Sequence, residues 1–105
     1  AVEPPLGVAV AGLAFRNPVV LASGTAGYGH ELADVADLAR IGGLCTKAVS
    51  VLPRAGNPAP RVAEFPGGMM NAVGLANPGL DAVRREHLPR LAACAPGVRV
   101  LVNVV

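Results

Sequence analysis

The chain has 105 residues, 52% of them hydrophobic, with 9 basic and 7 acidic groups and a formal charge of +2. That is enough for one small domain with a core, too apolar for a disordered segment, and too evenly and diffusely charged for a nucleic-acid partner. No apolar run approaches the roughly 20 residues of a membrane helix; the opening AVEPPLG lacks the basic and apolar regions of a secretory leader, and the isolated Cys45 and Cys94 read as buried, reduced thiols, so the expected compartment is the cytoplasm.

Residues 6–18, LGVAVAGLAFRNP, hold two short apolar stretches around Ala11-Gly12, which predicts a small N-terminal β-hairpin stopped by Pro18. VVLASG, residues 19–24, reads as a short buried parallel strand running into the Gly-rich loop GTAGYGH. A helix is expected from about Glu31 to Ile41. Leu32, Val35, Leu38 and Ala39 fall on one stripe, Glu31 and Asp34 lie in the first turn, Arg40 lies in the last, and Gly42-Gly43 follows. LCTKAVSV, Leu44 to Val51, is the second strand.

The stretch from Asn57 to Gly79 carries three of the chain's five Asn and is too long and too rich in Gly and Pro to be an ordinary connector. Within it RVAEF and MMNAV are expected to pair as a hairpin turned by Gly67-Gly68. Asn77-Pro78 predicts a second helix, with Asn77 as N-cap, Pro78 at N1 and an apolar face of Leu80, Val83, Leu88, Leu91 and Ala92. Pro89 should kink or break that helix. Pro96-Gly97 ends it, and VRVLVNVV, residues 98–105, is the third strand.

Alternating strands and helices imply a parallel sheet with right-handed crossovers. The terminal LVNVV reads as a strand that needs a neighbour. The expected fold is therefore α/β: the N-terminal portion of a (β/α)₈ barrel, typically about 250 residues, with a hairpin-bearing loop after strand two. An open doubly wound sheet is the alternative.

Barrels gather their chemistry at the C-terminal ends of strands. Those ends offer Ser23, Gly24 and Thr25, then Thr46 and Lys47, then Asn103, with Asn71 and Asn77 in the long loop. Lys47 is the only lysine beside eight arginines, in an otherwise apolar segment, and so looks selected for a compact ammonium. The set suits a polar heterocycle bearing a negative charge. Plainer readings stand beside it. Asn77 is better explained as a helix cap; Ser23-Gly24 also reads as a strand-ending turn and Asn103 as a structural amide, but several polar groups arriving at one end of the sheet favour a site over these separate readings. His30 and His87 read as solvated residues without partners, and Tyr28 is a poor candidate for a base. The sequence shows no Ser/His/Asp set, metal-spaced cluster or phosphate loop.

NPVVLASGTAGYG, LCTKAVS and PRAGNPAPRVAEFPGGMMNAVGLANPG, in this order over residues 6–105, resemble the class 1 dihydroorotate dehydrogenases, above all the type 1B form. The resemblance implies an FMN-containing (β/α)₈ barrel that oxidises dihydroorotate to orotate in pyrimidine synthesis. It implies FMN contacts at Ala22, Ser23, Gly24, Thr46, Lys47 and Asn103. It implies substrate contacts at Lys47 and at Asn71, Ala72, Val73, Gly74 and Leu75, with Asn71 on the pyrimidine and the backbone near Gly74 and Leu75 on the carboxylate. It also implies an electron-transfer subunit carrying FAD and an iron–sulfur centre, and a homo-oligomer in the full-length protein.

The family's catalytic cysteine and phosphate-holding loops lie later in its sequence, and neither Cys45 nor Cys94 matches that motif. No catalytic base is therefore expected within these residues, and the 105 residues alone are expected to be inactive. A dihydropyrimidine dehydrogenase-like barrel and a non-catalytic flavin- or pyrimidine-binding domain are the alternative functional readings.

Overall fold

The computed structural model describes residues 5–105; residues 1–4, part of the stretch read for a leader, lie outside the described residues. The chain opens with β1 (Val8–Val10) antiparallel to β2 (Leu13–Phe15). β3 (Val20–Leu21) and β4 (Gly43–Cys45) follow. A second hairpin is formed by β5 (Val62–Phe65) and β6 (Gly68–Asn71). A helical segment comprises α1 (Leu80–Ala82), a π-helical turn (Val83–His87) and α2 (Leu88–Cys94), and β7 (Arg99–Leu101) comes last.

β3, β4 and β7 make one parallel sheet in that spatial order, Leu21 opposite Leu44 and Leu44 opposite Val100. β4 is central and is the strand the core is built on. Leu44 is wholly buried and packs with Leu38, Leu91 and Ala95, flanked by Leu21, Leu32, Ile41, Cys94 and Val98. A second cluster joins Tyr28, Val49, Val83 and Leu88. β3 and β7 are less covered than their apolar sequences suggest, because each is an edge strand: Val20, Val100 and Leu101 are exposed. The β1–β2 hairpin sits at the N-terminal end of the sheet, where Arg99 Nε donates to the Ala14 carbonyl (2.7 Å) and the Phe15 ring lies against Gly43.

Three expectations are corrected. The helix over Glu31–Ile41 is instead two 3₁₀ turns, His30–Leu32 and Leu38–Arg40. Asp37 is the cause: its backbone is extended, and its carboxylate accepts from the Ala39 N–H, starting a new turn rather than continuing the first. Val35, placed on the apolar stripe, is consequently exposed. The second strand ends at Cys45 rather than Val51, because the Lys47 N–H leaves the ladder for the Gly27 carbonyl (2.8 Å); pairing with the last strand returns only at Val49–Val104. The third strand is likewise limited to Arg99–Leu101 and that bridge.

The second helix begins at Leu80 with Gly79 in the N-cap position, so Asn77 is not its cap. Pro89 acts through a widened turn. It cannot donate a backbone hydrogen bond, and its ring clashes with the carbonyl four residues back; the π turn over Val83–His87 absorbs both effects, and the segment continues to Cys94. Val83 and Leu91 face the core, whereas Leu80 and Ala92 are exposed. Asp81 pairs with Arg85 (3.1 Å) and Arg84 (3.8 Å) on the outer surface. Among the described residues no helix is long and apolar enough to cross a membrane.

Leu44→Ala should lower the unfolding free energy by about 2–5 kcal/mol. Val35→Ala, at an exposed position, should change it by less than about 0.5 kcal/mol. Denaturant midpoints at constant m-value measure both. The Tyr28 phenol is buried and donates to the Ala48 carbonyl (3.2 Å). Burial, and secondly the Glu31 carboxylate, raise its pKa above the ordinary tyrosine value. The folded state thus prefers the neutral phenol. The contribution is complete below about pH 10 and is lost as pH rises through the higher folded value. Tyr28→Phe should remove that part of the alkaline loss of stability. Because the chain has one tyrosine, ultraviolet absorbance follows the ionisation directly.

Candidate functional site

Ser23 follows β3, Lys47 follows β4 and Asn103 follows β7, so parallel pairing alone brings these residues to the same end of the sheet. They are joined by hydrogen bonds. Asn103 Nδ2 donates to Ser23 Oγ (2.9 Å), Ser23 Oγ donates to the Thr46 carbonyl (2.8 Å), and Thr46 Oγ1 accepts from the Asn103 N–H (3.2 Å). One polar network therefore spans all three strand ends.

The long loop closes over this end. Its two arms are zipped: Arg54 and Asn77 exchange both backbone hydrogen bonds, the Asn57 N–H donates to the Val73 carbonyl, and the Ala72 N–H donates to the Arg61 carbonyl. Beyond these rungs lies the β5–β6 hairpin, in which Phe65 pairs with Gly68. The turn residues are thus Pro66-Gly67, one position earlier than expected. Gly67, at φ 89°, supplies the positive φ that the second central residue of a type II turn requires, with Pro at the first.

Asn77 locks the base of the loop. Its side chain is buried. Oδ1 accepts from the Gly79 N–H (2.9 Å), the Ser50 N–H (3.2 Å) and Ser50 Oγ (3.2 Å), while Nδ2 lies 2.9 Å from both Ser50 Oγ and the Leu75 carbonyl. An amide so fully used inside the fold has little left for a ligand. Leu75, which it holds, has φ 57° and follows Gly74 at φ 82°. A non-glycine residue in the left-handed region costs roughly 1–2 kcal/mol and persists where its surroundings over-determine it. Asn57 supports the same segment: Nδ2 donates to the Ala72 carbonyl (2.7 Å), and a Cβ on Gly74 would lie 2.9 Å from Asn57 Nδ2.

Between the strand ends and this loop lies a cleft of about 810 Å³ lined by Ser23, Gly24, Thr25, Lys47, Ala48, Asn57, Asn71, Ala72, Val73, Gly74, Leu75, Ala76 and Asn103. Nine of the eleven residues singled out from the sequence therefore share one wall or another of it. Ala22 and Thr46 do not line it. Thr46 is wholly buried, its hydroxyl donating to the Lys47 carbonyl (3.0 Å) and bracing the wall from behind. Sequence reasoning did not assign Asn57. Asn57-Pro58 carries an ordinary turn signal, and nothing in its spacing reveals a partner at Ala72.

Three polar lining side chains differ from the rest, the Thr25 hydroxyl being one of them. Like it, Lys47 and Asn71 make no side-chain hydrogen bond or ion pair among the described residues. A half-buried ammonium and an exposed carboxamide facing one cleft suit an anionic heterocycle with amide edges. His30 and His87, expected to be solvated and unpartnered, instead bond to each other (Nε2 to Nδ1, 2.8 Å) away from the cleft.

A family model described as dihydroorotate dehydrogenase matches residues 5–105. The chain is 57% identical over 89 residues to the dihydroorotate dehydrogenase B (NAD(+)) catalytic subunit of Geotalea uraniireducens, covering 85% of this chain and 29% of that protein. It is 48% identical over 100 residues to the protein of the same description from Enterococcus faecalis, covering 95% and 32%. The chain thus spans about a third or less of the curated relatives it matches. Among solved structures, the DHODH of Eimeria tenella in complex with ferulenol aligns with a TM-score of 0.70 at 26% identity, covering 97% of this chain and 29% of that one. The ligand-free form gives a TM-score of 0.67 at the same identity.

Asn77→Ala removes a buried amide with five internal contacts and should destabilise the fold by about 2–4 kcal/mol. Asn71→Ala, at an exposed position without side-chain partners among the described residues, should change stability by less than about 0.5 kcal/mol. Comparing the two by denaturant unfolding separates the loop's lock from its outward-facing amide.

Proposed function

The chain belongs to the dihydroorotate dehydrogenase family, and from that premise we propose that the whole protein is an FMN-dependent enzyme oxidising dihydroorotate to orotate in pyrimidine biosynthesis. Residues 1–105 supply the first three strands of its (β/α)₈ barrel. The carrying observation is the cleft itself: one lysine and one asparagine without side-chain partners among the described residues line it together with the long loop, at the C-terminal ends of parallel strands.

The donor set fits a flavin. Ser23 and Asn103 hold each other in fixed orientation. Beyond its own and the adjoining residues, no heavy atom lies within 4 Å of where a Cβ on Gly24 would stand, so that turn leaves room for a ring to approach. When bound, FMN would supply the two-electron acceptor that these side chains cannot. Gly24, Ser23, Lys47 and Asn103 are the residues we assign to it, with Ala22 and Thr46 contributing from the adjoining backbone. A fixed ammonium at Lys47 favours negative charge beside it, in the reacting ring and in a substrate carboxylate alike. Preorganised charge of this kind is a large catalytic term because it needs no rearrangement during reaction.

Asn71 offers both a donor and an acceptor to the pyrimidine amide edge. The N–H groups of Gly74 and Leu75 donate to no described residue and are the carboxylate donors in this reading. No residue of the chain is assigned as the base. The relatives' description as the catalytic subunit of a B (NAD(+)) enzyme supports a separate electron-transfer subunit as partner, with NAD⁺ as the final acceptor.

In the full-length enzyme Lys47→Ala should reduce kcat by about 10²–10³-fold, with the melting midpoint essentially retained. Lys47→Arg should restore little, since a planar guanidinium does not replace a compact ammonium. Asn71→Ala should weaken orotate binding by about tenfold without lowering flavin content. Unchanged turnover and orotate affinity in Lys47→Ala would overturn the assignment.

A further inference from the structure

Apart from the cleft, one group of side chains among the described residues has the composition and closeness of a metal site. His30, Glu31 and His87 each offer a ligand atom, and these atoms lie within 4.8 Å of one another. His30 and Glu31 open the 3₁₀ turn after the Gly-rich loop, and His87 closes the π turn of the helical segment. The residues are 57 positions apart, so no sequence spacing could reveal the set. We propose that His30, His87 and Glu31 bind a borderline divalent cation of the zinc class, which ties the loop after β3 to the helix.

The geometry is close to what such an ion needs. His30 Nε2 stands 2.8 Å from His87 Nδ1 and 3.9 Å from Glu31 Oε1. Zinc bonds of about 2.0–2.1 Å to nitrogen and about 2.0–2.2 Å to oxygen place tetrahedral ligands about 3.3–3.5 Å apart. The two rings therefore separate by about half an ångström, and the carboxylate closes on His30 by a similar amount and also on His87, whose ligand atom lies within 4.8 Å of it. In the metal-free pair, one ring must donate its proton to the other. Metal binding requires the donor ring to take its other tautomer, the proton passing to that ring's second nitrogen, and leaves both facing nitrogens as ligands.

The surroundings orient the donors. The Tyr28 N–H lies 3.1 Å from Glu31 Oε2 and 3.3 Å from Oε1, which holds the carboxylate, and the Tyr28 ring packs on His87 with centroids 4.5 Å apart. Outer contacts of this kind stiffen metal ligands. Two imidazoles with one carboxylate select zinc, cobalt or nickel over magnesium or calcium, which prefer all-oxygen sites. The His30 side chain is 16% exposed and Glu31 46% exposed, so water can complete the coordination. The site is a tether; none of its residues lines the cleft.

The test uses the full-length protein, stripped with a chelator and titrated with Co²⁺, then with Zn²⁺. One Co²⁺ per chain should give weak visible d–d bands without the intense near-ultraviolet band of a thiolate ligand, and Zn²⁺ should displace it. His87→Gln and His30→Gln should each weaken binding by about 100-fold or more, and Glu31→Gln by about tenfold or more. Zn²⁺ should raise the melting temperature of the parent protein but not of the histidine variants. Melting without metal shows that each variant is folded; His30→Gln serves should His87→Gln disturb the Tyr28 contact. No Co²⁺ uptake at millimolar metal, equal uptake by the parent and a folded histidine variant, or a thiolate band from Cys45 or Cys94 would each overturn the proposal.

Discussion

The side chain of Asn77 connects the two halves of this structure. One half is a parallel sheet whose central strand carries the core; the other is a long ribbon that would be marginal by itself, as two-stranded hairpins generally are. The Asn77 carboxamide bonds to Ser50, beyond β4, and to Leu75 and Gly79 within and after the ribbon. Because the Asn77 side chain is buried, an unmet polar atom on it is costly, although its contacts to Ser50 and Leu75 are only partly buried. That cost keeps Leu75 in a backbone region it would otherwise avoid. The cleft's outer wall is therefore set by an amide that does not itself line it.

The same division runs through the other polar residues. Thr46 lies behind the wall with its hydroxyl spent on Asn103 and Lys47. Asn57 uses its amide on Ala72, from the edge of the cleft. Ser23 and Asn103 are shared between the fold and the cleft, since they bond to each other and still border it. Lys47 and Asn71 have no side-chain partner among the described residues. A graded arrangement of this kind is what preorganisation requires: outward-facing groups are positioned by neighbours whose own hydrogen bonds are complete. Lys47 shows it at backbone level too. Its N–H is bound to Gly27 rather than to the sheet, which ends β4 and fixes the ammonium-bearing residue against the loop after β3.

Much of this was legible in the sequence, and the failures have physical causes. Apolar runs bounded by Gly and Pro marked the three sheet strands, and their parallel order places Ser23, Lys47 and Asn103 together. Strand length was overread, because alternation cannot show that a backbone N–H is diverted across 20 residues, as at Lys47. The first helix failed at Asp37, whose side chain competes for the backbone. The cap assignment failed at Asn77 because Asn-Pro before an apolar stripe carries the same local signal whether its amide bonds to the following helix or to Ser50. Asn57, and the pairing of His30 with His87, depend on contacts 15 and 57 residues apart. Local pattern holds no information about such contacts until the fold is known.

The use of one lysine among eight arginines now has a specific setting. At the surface, Arg84 and Arg85 bracket Asp81, where exposed pairs contribute little and a broad guanidinium is as good as an ammonium. Lys47 is different: it is half-buried and lines one cleft with Ser23, Asn103 and Asn71, the last also without a side-chain partner among the described residues. A guanidinium there would bring five donors beside Ser23 and Asn103, whose side chains are already bonded to each other. An ammonium brings three donors on a flexible stem and concentrates its charge at one point. Beside a polar pair that is already hydrogen-bonded, a compact cation leaves fewer donors to be met by water than a guanidinium would.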